Sequence, residues 1–306
     1  MSIASQSTVS PEPAAAPQSA TRPFAWSVRR ELWEHRSVYI APAVVAGLVL
    51  FGFLIRIIHL PQTMKLLATL KPVDQKLALG IPFAIAAAAV AATGVIVAFF
   101  YCLGALYNER RDRSILFWKS LPVSNTTVVL SKAAIPFAVL PSVLFVTIIA
   151  THLIMLLLGS AALAASGMNA ALLWNSWPLF RMALVLIYGL VVMTLWYAPV
   201  YGWLLLVSSW ARGMAILWAV LPPLGLCIAE KIAFETSYLG QLLDYRLNGL
   251  MHEAFYVNPH SREIGDPLAM LTPERLLTAP GLWIGLAVGA AFLAGAVWLR
   301  RNREPI

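Results

Sequence analysis

Six charges fall within eleven residues of this chain: Glu109, Arg110, Arg111, Asp112, Arg113 and Lys119. Ile115, Leu116, Phe117 and Trp118 follow the first five, and a Leu121–Pro122 break follows them. Guanidinium forks pair with carboxylates, and Phe117 and Trp118 offer apolar area that a partner can cover. The chemistry such a set performs is recognition and the passing of force, since it lacks the convergent acid, base or nucleophile that bond-making needs. A mere connector needs only a few polar residues. Tyr107–Ser124 therefore predicts a short charged and aromatic helix, held between two spanning helices and pushing on something docked outside the membrane. A bland alternative treats the arginines as orientation signals and the aromatics as an interfacial belt. It explains the charges, but not their concentration in one of two loops when the other keeps only Arg212.

Bond-making motifs are sparse elsewhere. The sequence holds no G-x-x-x-x-G-K-[ST] phosphate loop, so ATP hydrolysis by this chain itself is not expected, and no G-x-S-x-G, H-E-x-x-H or C-x-x-C run occurs. His152 is a lone imidazole inside an apolar run, a position where ionisable groups attract functional readings. A hydrogen bond to a neighbouring helix is the plainer reading, and haem ligation together with His59 the sharper one. His252, Glu253, His260, Glu263 and Asp266 are spaced irregularly and read as a solvated loop rather than a metal centre. Glu230–Lys231 reads as a self-neutralising pair at an interface, with substrate contact as the alternative. Cys102 and Cys227 lie inside apolar runs and read as buried thiols. No catalytic residue and no metal site is expected.

Sixty per cent of the 306 residues are hydrophobic and only 12% are charged. Soluble domains carry about a quarter charged residues, and about 20 apolar residues cross a bilayer. The chain reads as an all-α polytopic membrane protein. Its net charge of +8 gathers at the ends of apolar runs, which points to membrane orientation and away from nucleic acid. Six spans are predicted: about Val38–Ile58, Ile81–Leu106, Val128–Leu158, Met182–Trp210, Met214–Phe234 and Leu282–Leu299. Residues 38–306 form the transmembrane domain. Pro136, Pro141 and Pro222–Pro223 should kink their helices. Most Lys and Arg fall on the side of the termini, so both termini and the 107–124 element are expected in the cytoplasm of a bacterial cell, with the chain multi-pass in its inner membrane.

Residues 1–21, rich in Ala, Ser and Pro, read as a disordered tail rather than a cleaved signal peptide. Arg22–Ser37 predicts an amphipathic interfacial helix. Phe24, Val28 and Leu32 form one face, and Trp26 and Trp33 stand among Arg29, Arg30, Glu31, Glu34 and Arg36. The connector 235–280 is too long for a turn. Leu239, Leu243, Leu247 and Leu250 share a helical face, and Thr272-Pro273-Glu274 starts a second short helix. Two short outer helices, dipping into the bilayer, are expected.

The run NERRDRSILFWKSLPVSNTTVVLSK (108–132) resembles the permease subunits of ABC-2-type exporters. These carry a glutamate with basic neighbours after the second span, a short apolar stretch, a Leu-Pro pair and a downstream lysine. Here those are Glu109, Arg110–Arg111, Ile115–Trp118, Leu121–Pro122 and Lys132. VRRELWEHRS (28–37) is similar to the connecting helix before the first span in that family. The resemblance covers nearly the whole chain and implies an ABC-2 (type V exporter-like) permease fold. It implies a half-transporter that pairs with a second permease copy, identical or different, and with two copies of a separate ATPase subunit that binds the MgATP. No cofactor is expected in this chain. Tyr107–Pro122 would be the coupling helix, using Glu109, Arg110, Arg111, Asp112, Arg113, Phe117, Trp118, Lys119 and Pro122, with Arg29, Arg30, Glu31, Trp33 and Glu34 packed beside it. His152, Trp196, Tyr197 and Tyr201 are the candidate wall of an apolar cavity suited to a lipid, drug or peptide. Rival readings are a non-transporting anchor or assembly subunit and a membrane-embedded lipid-modifying enzyme.

Overall fold

A computed structural model describes residues 22–67, 69–113, 123–255 and 267–302. The tail 1–21, the Phe117–Trp118–Lys119–Pro122 part of the charged element, and His260, Glu263 and Asp266 lie outside them. The described residues are almost wholly helical, with one isolated bridge between Phe255 and Leu271. Six helices are long and apolar enough to cross a membrane: Ser37–Ile57, Val73–Arg111, Asn125–Ala165, Leu173–Trp196, Ala215–Phe234 and Pro280–Asn302.

In chain order, α1 (Arg22–Glu34) leads into α2 (Ser37–Ile57), the first span. A short α3 (Leu60–Leu67) then packs on the third span, where only a polar connector was expected. The second span is α4 (Pro72–Ala105), continued after Leu106 by α5 (Tyr107–Arg111). The third begins as α6 (Asn125–Ala134), passes through a π-helical turn at Ile135–Val139, and runs on as α7 (Leu140–Ala165). Ser124 caps α6, its hydroxyl accepting the Thr127 N–H at 3.0 Å. The π turn sits where Pro136 has no N–H to give, so the ladder slips by one residue, as the prolines foretold.

A small α8 (Ala171–Ser176) overlaps the start of the fourth span, and the long helix that carries this span breaks at the span's end. Its halves, α9 (Leu179–Trp196) and α10 (Ala198–Trp210), meet at Tyr197, whose φ of −85° and ψ of 7° leave the helical range, and Pro199 stands in the first turn of α10. A single unbroken span was expected here; the proline at the start of the second half explains the difference. The fifth span is α11 (Ala215–Phe234), which buries little of itself within the chain. Beyond it lie α12 (Tyr238–Asn248), α13 (Leu250–Ala254), a 3₁₀ turn at Pro267–Met270, α14 (Pro273–Thr278) and α15 (Pro280–Asn302), the sixth span.

The main apolar core joins α2, α4, α7, α9 and α10 around Val90, Cys102, Leu144, Ile148 and Leu205. A second core at the far end joins Phe53, Leu60, Phe83, Met155 and Leu163. The closest helix pair is α10 against α15. A Cβ on Gly202 would stand 2.8 Å from the Gly289 carbonyl oxygen, and one on Gly289 3.0 Å from the Ala198 carbonyl. Small residues let backbones touch where lipid supplies no hydrophobic drive. Gly202→Ala should therefore force two backbones apart. The expected loss is about 1–3 kcal/mol, read as a lower midpoint in thermal unfolding of the detergent-solubilised chain.

Candidate functional site

The charges of Tyr107–Ser124 do not all face outward. α5 continues the second span, and its first turn turns Glu109 and Arg110 into the protein, where they are 7% and 4% exposed. Arg111, Asp112 and Arg113 remain exposed, and the backbone at Arg113 takes a left-handed φ of 56°. The inward pair meets charges from three other elements. Lys132 of α6 is 1% exposed; its ammonium lies 2.8 Å from Glu31 Oε1 and 3.0 Å from Glu109 Oε1. Arg300 of α15 donates to Glu109 Oε2 at 2.6 Å. Glu31 of α1 also accepts the Tyr101 hydroxyl at 2.9 Å, and His35 packs edge-on to the Tyr101 ring. Arg30 reaches to within 3.9 Å of Glu109 while pairing with Glu34 at 2.7 Å.

Two carboxylates and two cations thus balance in a buried group. The pairing offsets much of the cost of burying these charges, which is large for a charge left unpaired. The neighbouring backbone is drawn in as well. Ser208 Oγ accepts the N–H groups of Leu106 and Tyr107, both at 2.9 Å, at the break between α4 and α5. Arg110 donates to the Ser209 and Ala211 carbonyls at 2.7 and 3.2 Å. Those carbonyls close α10, and a cation there also meets the negative end of the helix dipole. The joint ties together α1, the second and third spans on either side of the charged loop, the end of the fourth and the end of the sixth.

Glu109 and Arg110, expected as outward coupling contacts, are buried internal fasteners, and Glu31 of the interfacial helix joins them from inside. Among the described residues, the outward charges of the element are Arg111, Asp112 and Arg113. Tyr101 and Arg300 went unread as part of the site. Arg300 was legible only as a basic residue after the last span, and no local pattern points 191 positions back to its partner. Glu31, Glu34 and His35 bring ligand atoms within 4.8 Å of one another. Lys132 already neutralises Glu31, so the arrangement is an ion pair rather than a cation site.

Of the residues expected on a cavity wall, His152, Trp196 and Tyr201 are buried within the chain and Tyr197 is half-buried. Trp196 is fully buried and Tyr201 5% exposed, both in core contacts. His152, 3% exposed, has Nε2 at 2.9 Å from the Phe83 carbonyl, and its ring packs against Phe83 and Trp177. The plainer reading of that histidine is the one seen; with Nε2 engaged on a carbonyl and His59 exposed, nothing favours haem. Tyr197 donates its hydroxyl to the Leu247 carbonyl at 2.9 Å.

At the opposite end the helices of the 235–280 connector are fastened by a residue the leucine pattern did not single out. Leu239 and Leu247 of α12 are 41% and 56% exposed. Arg246 instead donates to the carbonyls of Trp196 at 3.1 Å and Gly281 at 2.7 Å, with its guanidinium 4.7 Å from the Trp196 ring centroid. The Trp196 indole donates back to the Arg246 carbonyl at 2.8 Å. Burial lowers the pKa of Arg246, but from so high a starting value that the charge is kept. Glu230 is not paired with Lys231 as expected. Its carboxylate accepts the Tyr238 and Leu239 N–H groups at 2.7 and 2.8 Å and so caps α12.

No protein-family model, no curated protein and no solved structure matches this chain.

Proposed function

We propose that this chain is the membrane permease subunit of an ATP-driven exporter of the ABC-2 type, worked through the joint at its charged end. The observation that carries this is the buried Glu31–Lys132–Glu109–Arg300 group. It makes one rigid body of α1, both flanks of the 107–124 element and the sixth span. A loop pushed by a docked ATPase must be fastened to the spans it moves, and an inert anchor has no need of such a joint. Arg111, Asp112 and Arg113 supply outward charges for that partner, on the cytoplasmic side.

The π turn at Ile135–Val139 and the break at Tyr197 are places where the third and fourth spans give. Exposed Ala84, Ala88 and Ala92 on α4 leave a flat strip for a second copy, with an amphipathic substrate passing between the two halves. ATP is bound and hydrolysed in the separate subunit.

The test is co-expression with a candidate ATPase subunit that carries a phosphate loop. The wild-type pair should co-purify and hydrolyse ATP. Arg111→Glu with Arg113→Glu should lower ATPase recovery roughly tenfold, since clustered interface charges dominate such contacts. Its unfolding midpoint should not move, because these side chains are exposed. Undiminished recovery would count against the proposal.

A further inference from the structure

On α1 every acid is already engaged within the protein. Glu31 is held by Lys132 and Tyr101, and Glu34 by Arg30. Val28 and Leu32 pack on the main core, so this side of the helix is closed. At about 100° per residue, Trp26, Arg29 and Trp33 fall together on the side of α1 pointing away from the core, and exposed Arg36 follows just past its end. Trp26 and Trp33 are 60% and 62% exposed. Arg29 stands between them, its guanidinium carbon 5.5 Å from the Trp26 ring centroid and 4.9 Å from that of Trp33. Among the described residues Arg29 and Arg36 have no carboxylate partner.

We propose that the Trp26–Arg29–Trp33 strip, with Arg36 just past the end of the helix, binds the phosphate of an anionic phospholipid headgroup. Three features select that occupant. Indole rings favour the headgroup level of a bilayer, with apolar bodies in and N–H groups out. A guanidinium held close to two indoles and engaged by no carboxylate among the described residues can turn its planar fork to a phosphate and grip it with two parallel hydrogen bonds. The two ring contacts also restrict the side chain before any ligand arrives, which lowers the ordering cost of binding. Two unmatched cations beside an interface attract an anionic lipid rather than a zwitterionic one. The strip lies on the outer face of the helix whose inner face enters the ionic joint, so lipid bound here holds α1 against it. This site rests on the six helices being spans and not on the exporter reading, so the two fail separately.

The full chain is reconstituted in nanodiscs of phosphatidylcholine with phosphatidylglycerol, and co-purifying lipid is counted by native mass spectrometry. Phosphatidylglycerol should be enriched over its bulk fraction, with Arg29→Gln cutting that enrichment about fivefold. Arg29→Lys should restore part of it, Trp33→Ala should weaken it, and Arg212→Gln should leave it unchanged. Inorganic phosphate should not compete. Enrichment that survives Arg29→Gln, or falls equally with Arg212→Gln, overturns the site. So does loss of ATPase recovery on Arg29→Gln with lipid enrichment intact, which would make the strip a protein contact.

Discussion

Lys132→Met should be among the most destabilising single substitutions in the spans, lowering stability by about 3–5 kcal/mol in thermal unfolding of the solubilised chain. The ammonium sits 2.8 and 3.0 Å from two carboxylates, at 1% exposure. Removing it leaves Glu31 and Glu109 buried with Arg300 as their principal counter-charge. The lost attraction is not the main cost; the unpaired carboxylate is. Adding Glu31→Gln removes that surplus charge and should return more than half of the loss. If Lys132→Met unfolds with the wild type, or if Glu31→Gln deepens the damage, the charge balance assigned to this group is wrong.

Arg246→Met should have the next largest effect, about 2–4 kcal/mol, because it removes two charge-assisted hydrogen bonds and the contact with the Trp196 ring. The Trp196 carbonyl lies at the break in the fourth span and that of Gly281 at the start of the sixth, so one side chain joins both to α12. Gly281 and Gly285 are glycines for the same reason: a Cβ at either would intrude on Tyr245 or Arg246. The substitution should loosen the connector helices before the spans, so protease cleavage within 235–280 is expected to rise ahead of any change in global unfolding. Cleavage identical to the wild type would show that Arg246 does not hold this cap.

Much of this architecture is legible in the amino-acid sequence, and the exceptions share a cause. Uninterrupted apolar runs mark all six spans, because a helix in lipid must satisfy its own backbone and present apolar side chains throughout. Pro136 foretold the altered turn of the third span, since a missing N–H acts locally. The charged element was placed correctly along the chain but misread in direction. Composition tells how many charges a segment carries, whereas which of them turn inward depends on Lys132 and Arg300 arriving from elsewhere. The 235–280 connector shows the same limit. Its leucine face followed helical spacing, yet the anchoring residue is Arg246, whose partners are backbone carbonyls that no side-chain pattern reveals. Trp196 and Tyr201 read as cavity aromatics only so long as the break that turns them into the core was unseen.

The Glu31→Gln, Lys132→Met pair also offers the sharpest test of how force travels. It keeps Glu109 and Arg300 bonded, retains charge balance, and cuts the tie of the third span to α1 and to Glu109. On the exporter proposal, this variant reconstituted with the proposed ATPase subunit should assemble and hydrolyse ATP while exporting a fluorescent amphipath at roughly a tenth of the wild-type rate or less. Export at the wild-type rate with that tie removed would contradict the joint as the route of transmission.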